Sequence, residues 1–195
     1  MPQQFYCESK TQPPTGWRYA TFQTELGWIT AIWHSQGLAG MTFGLPDSVA
    51  AARWANEFLA RHQRQAEWAD EAKIPWRLTR RLRAFADGKA QNFADVPLDV
   101  THLAPFGRKV AAQCCSLEWG ETASYAEIAA RAGSPAAARA VGNCMKTNRI
   151  PLLIPCHRVV GAGGSLGGYS APSGLDMKRR LLAAEGMESA VLAAK

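Results

Sequence analysis

Nothing in this 195-residue sequence is apolar for long enough to cross a bilayer, and its amino terminus, MPQQFYCESK, has neither the basic start nor the hydrophobic stretch of a secretory signal. The expectation is an intracellular protein, cytoplasmic or, in a eukaryote, nuclear, with no membrane partner. C-x-x-C spacing is also missing. The five cysteines, Cys7, Cys114, Cys115, Cys144 and Cys156, are odd in number, which suits neither a disulfide framework nor a zinc site and leaves reduced thiols as the simplest reading. There is no internal repeat, no low-complexity tract and no cofactor motif. Acidic residues are absent from Ile128 through Leu175, where Arg131, Arg139, Lys146, Arg149 and Arg158 give the region a single sign of charge. What is present is the composition of a folded protein: 47% hydrophobic residues against 19% charged allow two compact halves, each with its own core. A net charge of +6 favours a polyanionic partner.

The first half contains three β-prone runs, Trp17 to Gln23, Trp28 to His34 and Leu38 to Phe43, separated by the turn signals TELG and SQG. They predict a small antiparallel meander. Asp47 or Ser48 can cap a helix through ARWANEFLARH, and Leu78, Leu82 and Phe85 recur at helical spacing before Gly88 stops a second helix. Arg77, Arg80, Arg81 and Arg83 read as a solvated face of that helix rather than a nucleic-acid groove. The stretch GKAQNFADVPLDVTHLAP, residues 88–105, reads as an interdomain linker and divides the chain into 1–97 and 98–195.

Beyond it, Phe106, Val110, Cys114 and Leu117 fall on one helical stripe, which makes Cys114 a core residue and leaves Cys115 undecided. Ser124 with Glu127 forms a capping box, Gly133 breaks the helix that follows, and Ser134 with Pro135 predicts a restart as cap and first helical residue. Two helices joined so tightly form a helix-turn-helix or an ordinary helical hairpin. The acid-free stretch favours DNA. So does the thin second helix, in which Ala136, Ala137, Ala138, Ala140 and Gly142 leave room for close approach to a groove.

The segment RIPLLIPCHRVV then predicts a short buried run delivering Cys156 beneath that helix. Positive charge from His157 and Arg158 is expected to lower the thiol pKa, although neighbours in an extended segment point to opposite faces. Pro-Cys-His-Arg alone fits a metal fragment, a cysteine hydrolase nucleophile or neither. A zinc deaminase is ruled out, because that signature needs a second cysteine after P-C-x-x and a preceding H-x-E.

PCHRVV, preceded by ARAVGNCMKTNRIPLLI and followed by GAGGSLGGYS and KRRLLAAEG, resembles the O6-alkylguanine-DNA alkyltransferases, or methylated-DNA-protein-cysteine methyltransferases, from about Phe106 to Gly186. The resemblance implies an α/β (α+β) chain with a small ribonuclease-H-like amino-terminal domain and a helical, winged helix-turn-helix carboxy-terminal domain. It also implies a monomer whose partner is double-stranded DNA containing O6-alkylguanine. Such proteins bind the minor groove, turn the guanine out of the stack and take its alkyl group, and that of O4-alkylthymine, onto their own cysteine in a single turnover without a cofactor.

Carried over by motif, Cys156 is the acceptor, His157 the base acting through a water, and Glu185 the group that orients the imidazole. Asn148 braces the turn, and Tyr125 donates to guanine N3. Arg139 enters the stack in place of the flipped base. The carbonyls of Cys156 and Val159 and the backbone N–H near Ser170 read the guanine edge, Tyr169 walls the pocket, and Gly163, Gly164, Gly167 and Gly168 allow close backbone approach. Gly142, Asn143 and Lys146 belong to the DNA-facing helix. The sequence departs from the family at Asn143 and Cys144, where many members have smaller residues, and at SAPSGL after Tyr169, which is longer than the usual SGGL. Some members hold zinc near the amino terminus, which Cys7 alone does not support. A non-catalytic alkyltransferase-like DNA binder and a multiple-turnover cysteine hydrolase are the rival readings.

Overall fold

The three β-prone runs form consecutive antiparallel strands, β2 (Arg18–Thr24), β3 (Gly27–His34) and β4 (Gly37–Leu45), in a computed structural model that describes residues 5–6 and 14–187. Cys7 lies outside the described residues. Short parallel strands extend the meander at both edges. β1 (Phe5–Tyr6) and β6 (Leu98–Asp99) lie beyond β4, and β5 (Glu67–Trp68) lies beyond β2, giving the order β1-β6-β4-β3-β2-β5. Strands with alternating faces bury one face against a helix. Here α1 (Ser48–Arg61), capped by the Asp47 carboxylate accepting from the Ala50 N–H at 2.7 Å, packs Ala55, Phe58 and Leu59 on Ile32. The buried Thr30 hydroxyl donates to the Ala51 carbonyl at 2.9 Å and fixes helix to sheet. The second helix, α2 (Leu78–Ala86), buries Leu78, Leu82 and Phe85, the periodic residues of the sequence.

Two features differ from expectation. Arg77, Arg80 and Arg83 are exposed, but Arg81 pairs with Asp95 and Arg83 with Glu71, so half of this arginine set is neutralised within the unit. The stretch read as linker also enters the sheet. Val96, Leu98 and Val100 are fully buried, and the His34 ring donates from Nε2 to Asp99 at 3.0 Å. The Gly, Pro and Asp punctuation of that stretch hid an alternating strand pattern, and the chain divides into its two compact units after His102.

The second unit is helical. α3 (Pro105–Cys115) buries Val110 and Cys114, with Leu117 just beyond it. β7 (Ala123–Ser124) pairs in parallel with β8 (Val159–Val160). α4 (Tyr125–Arg131) begins at the capping box, in which the Glu127 N–H donates to Ser124 and the Ser124 N–H to Glu127 at 2.7 Å. Gly133, at φ +83°, turns the chain in a conformation that costs other residues energy. The helix after it starts later than the sequence suggested. Ser134 and Pro135 form a turn closed by the Ala137 N–H on the Ser134 carbonyl at 2.9 Å, and α5 (Ala138–Lys146) has no side-chain cap. The extra turn lets α5 leave α4 at a new direction while Val141 and Met145 reach the core. α6 (Gly174–Ala184) completes the unit, and no helix among the described residues is long and apolar enough to cross a membrane.

Candidate active site

Between α5 and β8 the chain makes a tight apolar turn in which Ile150, Leu152, Leu153 and Ile154 are all buried, as an apolar run between prolines requires. Asn148 holds this turn at both ends. Its side-chain amide donates to the Ile154 carbonyl at 2.9 Å, and its oxygen accepts from the Ile150 N–H at 3.0 Å. The turn delivers Cys156 into a one-turn 3-10 helix, Cys156–Arg158, whose three side chains are buried.

Cys156 is 6% exposed and lies in a cleft of about 400 Å³ lined by Tyr125, Gly142, Met145, Lys146, Gly168, Tyr169 and Ser170. Small-molecule sites commonly fall between about 300 and 1,000 Å³. The sequence-predicted Tyr125, Gly142, Lys146, Tyr169 and Ser170 are therefore brought to the thiol. Arg139 and Asn143 are not: they are exposed on α5 outside the cleft lining. Arg139, Asn143 and Lys146 follow helical spacing and share one face of α5. Gly167 is needed where it stands, at φ +64° with an added Cβ about 3.1 Å from the Tyr125 ring; Gly163 and Gly164 face open space. Met145 was missed as a lining residue, though its position four residues after Val141 marked it as apolar and inward.

The groups behind the sulfur form a buried network. His157 Nε2 donates to Glu185 at 2.9 Å, and both side chains are fully buried. Arg158, counted above among the charges facing phosphate, faces inward instead: it donates to Glu185 through Nε at 2.9 Å and Nη2 at 3.0 Å, and to the Leu117 carbonyl at 2.7 Å. A guanidinium this deeply buried needs partners as well as its carboxylate, and here each of its three nitrogens donates a hydrogen bond. Burial pushes the Glu185 carboxyl up, but the His157 and Arg158 hydrogen bonds outweigh it and leave the group below its ordinary pKa. Burial pulls His157 down, with Glu185 only partly restoring it, so the imidazole is neutral at pH 7. An ionised carboxylate only accepts, so the His157 proton sits on Nε2 and Nδ1 is the basic nitrogen.

The thiol itself departs from expectation. Burial pushes Cys156 above the ordinary thiol range, against the opposing effects of Asn148, Lys178 and Tyr169. The expected help from its neighbours is missing, because His157 is neutral and Arg158 turns to Glu185. Burial also raises Tyr125 and Tyr169, which keeps both phenols protonated and able to donate. Cys114 is buried with its pKa raised, a core residue as the stripe implied, and Cys115 donates from Sγ to the Leu153 carbonyl at 3.5 Å.

A helix-turn-helix whose second helix lines a cleft over one buried thiol, with an imidazole and a carboxylate behind it, defines a DNA-binding domain built around a single nucleophile. A family model for the DNA-binding domain of 6-O-methylguanine DNA methyltransferase matches residues 105–187. The chain is 41% identical over 120 residues to a methylated-DNA–protein-cysteine methyltransferase of Methanosarcina barkeri, an alignment covering 62% of this chain and 73% of the relative. A Methanosarcina acetivorans protein of the same name is 33% identical over 175 residues, 86% of this chain and 97% of that one. Among solved structures, Mycobacterium tuberculosis OGT in complex with DNA matches with a TM-score of 0.69 at 29% identity, covering 90% of this chain and 99% of that one. The chain belongs to the methylated-DNA–protein-cysteine methyltransferase family.

Proposed function

We propose that the chain repairs DNA by moving an alkyl group from O6 of guanine onto its own Cys156, once per molecule. The observation that carries this reading is the position of Cys156: a buried thiol at the floor of a base-sized cleft, under the second helix of a helix-turn-helix. The thiol cannot reach a base inside a duplex, so the guanine must turn out of the stack, which costs a few kcal/mol. In this reading Arg139, exposed on α5, fills the vacated space, and exposed Lys146 meets phosphate.

In the cleft, the thiol loses its proton toward the neutral imidazole of His157, which Glu185 holds in the required tautomer. The sulfur attacks the alkyl carbon, the carbon–O6 bond breaks, and its electron pair leaves with the guanine. The Tyr125 phenol offsets that charge by donating to guanine N3. The proton given up by sulfur ends on the base, so thiol and O6-alkylguanine become thioether and guanine with no other reagent. A thioether lacks the electrophilic carbonyl of an acyl-enzyme, so water does not release it.

Weighing the intact protein after incubation with DNA containing O6-methylguanine tests this reading. The native chain should gain one methyl group and stop; Cys156→Ser should bind the DNA and gain none. Repeated turnover would point to a hydrolase, and binding without any mass gain to a non-catalytic lesion binder.

A further inference from the structure

Helix α3 ends in two adjacent thiols, Cys114 and Cys115, that the alkyl transfer does not use. Neighbours on an α-helix point about 100° apart, so the pair reaches two different parts of the molecule. Cys114 turns inward. Its Sγ lies 3.6 Å from the Met145 Sδ on α5, a contact in which only the thiol has a proton to give. Burial raises the Cys114 pKa, so that proton stays in place at neutral pH. Cys115 turns toward the segment that bears the nucleophile and donates to the Leu153 carbonyl at 3.5 Å.

These two acceptors belong to different parts of the site. Met145 lines the cleft, whereas Leu153 stands three residues before Cys156 in the tight apolar turn that presents it. Methionine is unbranched, has three rotatable bonds and adapts to whatever space it is given. A wall that has to receive a flat base therefore gains from a sulfur held at one point. A second contact sets the register of the two helices. Gly107, seven residues before Cys114 and on the same face of α3, is buried, and its missing side chain leaves room for Cys144, whose Sγ lies 3.7 Å from where a Cβ would stand. Cys144 is larger than the residue many family members carry there, and Gly107 receives it. Through the consecutive Cys144 and Met145, α3 thus fixes α5 beside the cleft.

We propose that Cys114 and Cys115 are positioning residues for the alkyl transfer: the first holds the Met145 sulfur and so fixes the wall that receives the base, and the second holds the turn that aims the Cys156 sulfur. The inference rests on the alkyl-transfer reading above. The two thiols divide the task, because one contact governs how the base is received and the other how the nucleophile is aimed.

Single-turnover benzyl transfer from free O6-benzylguanine separates the two, since the half-saturating concentration reads reception of the base and the limiting rate reads attack by sulfur. A neutral hydrogen bond is a modest interaction, so effects of about threefold are expected. Cys114→Ala should raise the half-saturating concentration by about threefold and leave the limiting rate within about twofold of native. Cys114→Ser, which keeps a donor, should restore the native value. Met145→Leu keeps the volume and removes the sulfur, so it should match Cys114→Ala, and the double variant should be no worse than either single change. Met145→Leu reads the same contact even where Cys114→Ala fails to fold. Cys115→Ala should instead lower the limiting rate by about threefold at an unchanged half-saturating concentration. Losses that multiply in the double variant, native behaviour in both alanine variants, or a loss in the same parameter for both cysteines overturns the inference while benzyl transfer by the native chain stands. A native chain that takes no benzyl group overturns the alkyl-transfer reading, and the inference with it.

Discussion

Arg158 commits its guanidinium to Glu185 and to the Leu117 carbonyl, so the residue following His157 supports the buried His157–Glu185 pair and does not face phosphate. Removing it would leave the Glu185 carboxylate buried with only the His157 ring and the Gly120 N–H as donors. Losing one partner of a buried ion pair costs about 3–5 kcal/mol, so Arg158→Met should lower the stability of the second unit by about that amount in denaturant unfolding. Glu185→Gln is the gentler change. It keeps the volume but removes the group that fixes the His157 proton on Nε2, and benzyl transfer should slow by roughly tenfold or more with duplex binding retained. Unchanged transfer in Glu185→Gln would show that the carboxylate serves the fold alone. The four-residue motif Pro-Cys-His-Arg thus places three side chains with separate tasks in one 3-10 turn, and its sequence adjacency is not contact between the thiol and its neighbours' charges.

On α5 the exposed stripe of Arg139, Asn143 and Lys146, which we propose meets DNA, runs beside the cleft-lining Gly142 and Met145. Arg139→Ala should therefore slow repair of duplex DNA far more than transfer from free O6-benzylguanine, which needs no flipping. Lys146 belongs to both the stripe and the lining, so Lys146→Ala tests phosphate contact and should flatten the salt dependence of binding by about one counterion. Equal losses on duplex and free base for Arg139→Ala would place its effect in the pocket or the fold. Local rules made much of this architecture legible beforehand: the meander, the Asp47 cap, the Ser124–Glu127 capping box and the α3 stripe all follow from patterns within a few residues. Legibility failed where tertiary context decides. Pro135 opens a turn rather than a helix, because Ala137 and not Ser134 precedes the first helical residue. Val96, Leu98 and Val100 alternate like a strand, but their intervening Pro97 and Asp99 look like linker punctuation. Lys178 stands beside two other basic residues in KRRLLAAEG, and nothing local reveals that it is buried and donates to the Val159 and Leu166 carbonyls. His157 and Glu185 lie 28 residues apart, and only the family resemblance paired them in advance.

For the whole molecule, acid should separate the two units. His157 has its pKa depressed by burial, so the unfolded chain binds its proton first, and the stability this group contributes is present above about 6.5 and lost as pH falls through the lower folded value. Glu185, also depressed, adds a loss at lower pH. In the first unit, burial alone would raise Asp99, but hydrogen bonds from His34 and Thr101 bring it down to about 2, so its contribution persists until much stronger acid. The second unit is therefore expected to unfold at higher pH than the first. Trp119 is the one tryptophan after residue 102, while Trp17, Trp28, Trp33, Trp54, Trp68 and Trp76 all precede it. A Trp119→Phe chain and the native chain, compared by fluorescence during acid titration, resolve the two transitions, and coincident transitions would refute the order. The same burial that makes the site acid-sensitive has a further consequence for a protein that can react only once. A thiol held mostly protonated and 94% covered is a poor target for peroxide and stray electrophiles, because those reagents consume accessible thiolate. An exposed, strongly acidic thiol would react faster and would also be lost to chance oxidation before any lesion arrived. Burial gives Cys156 a shelf life, and the molecule waits unspent until a base that fits the cleft comes within reach.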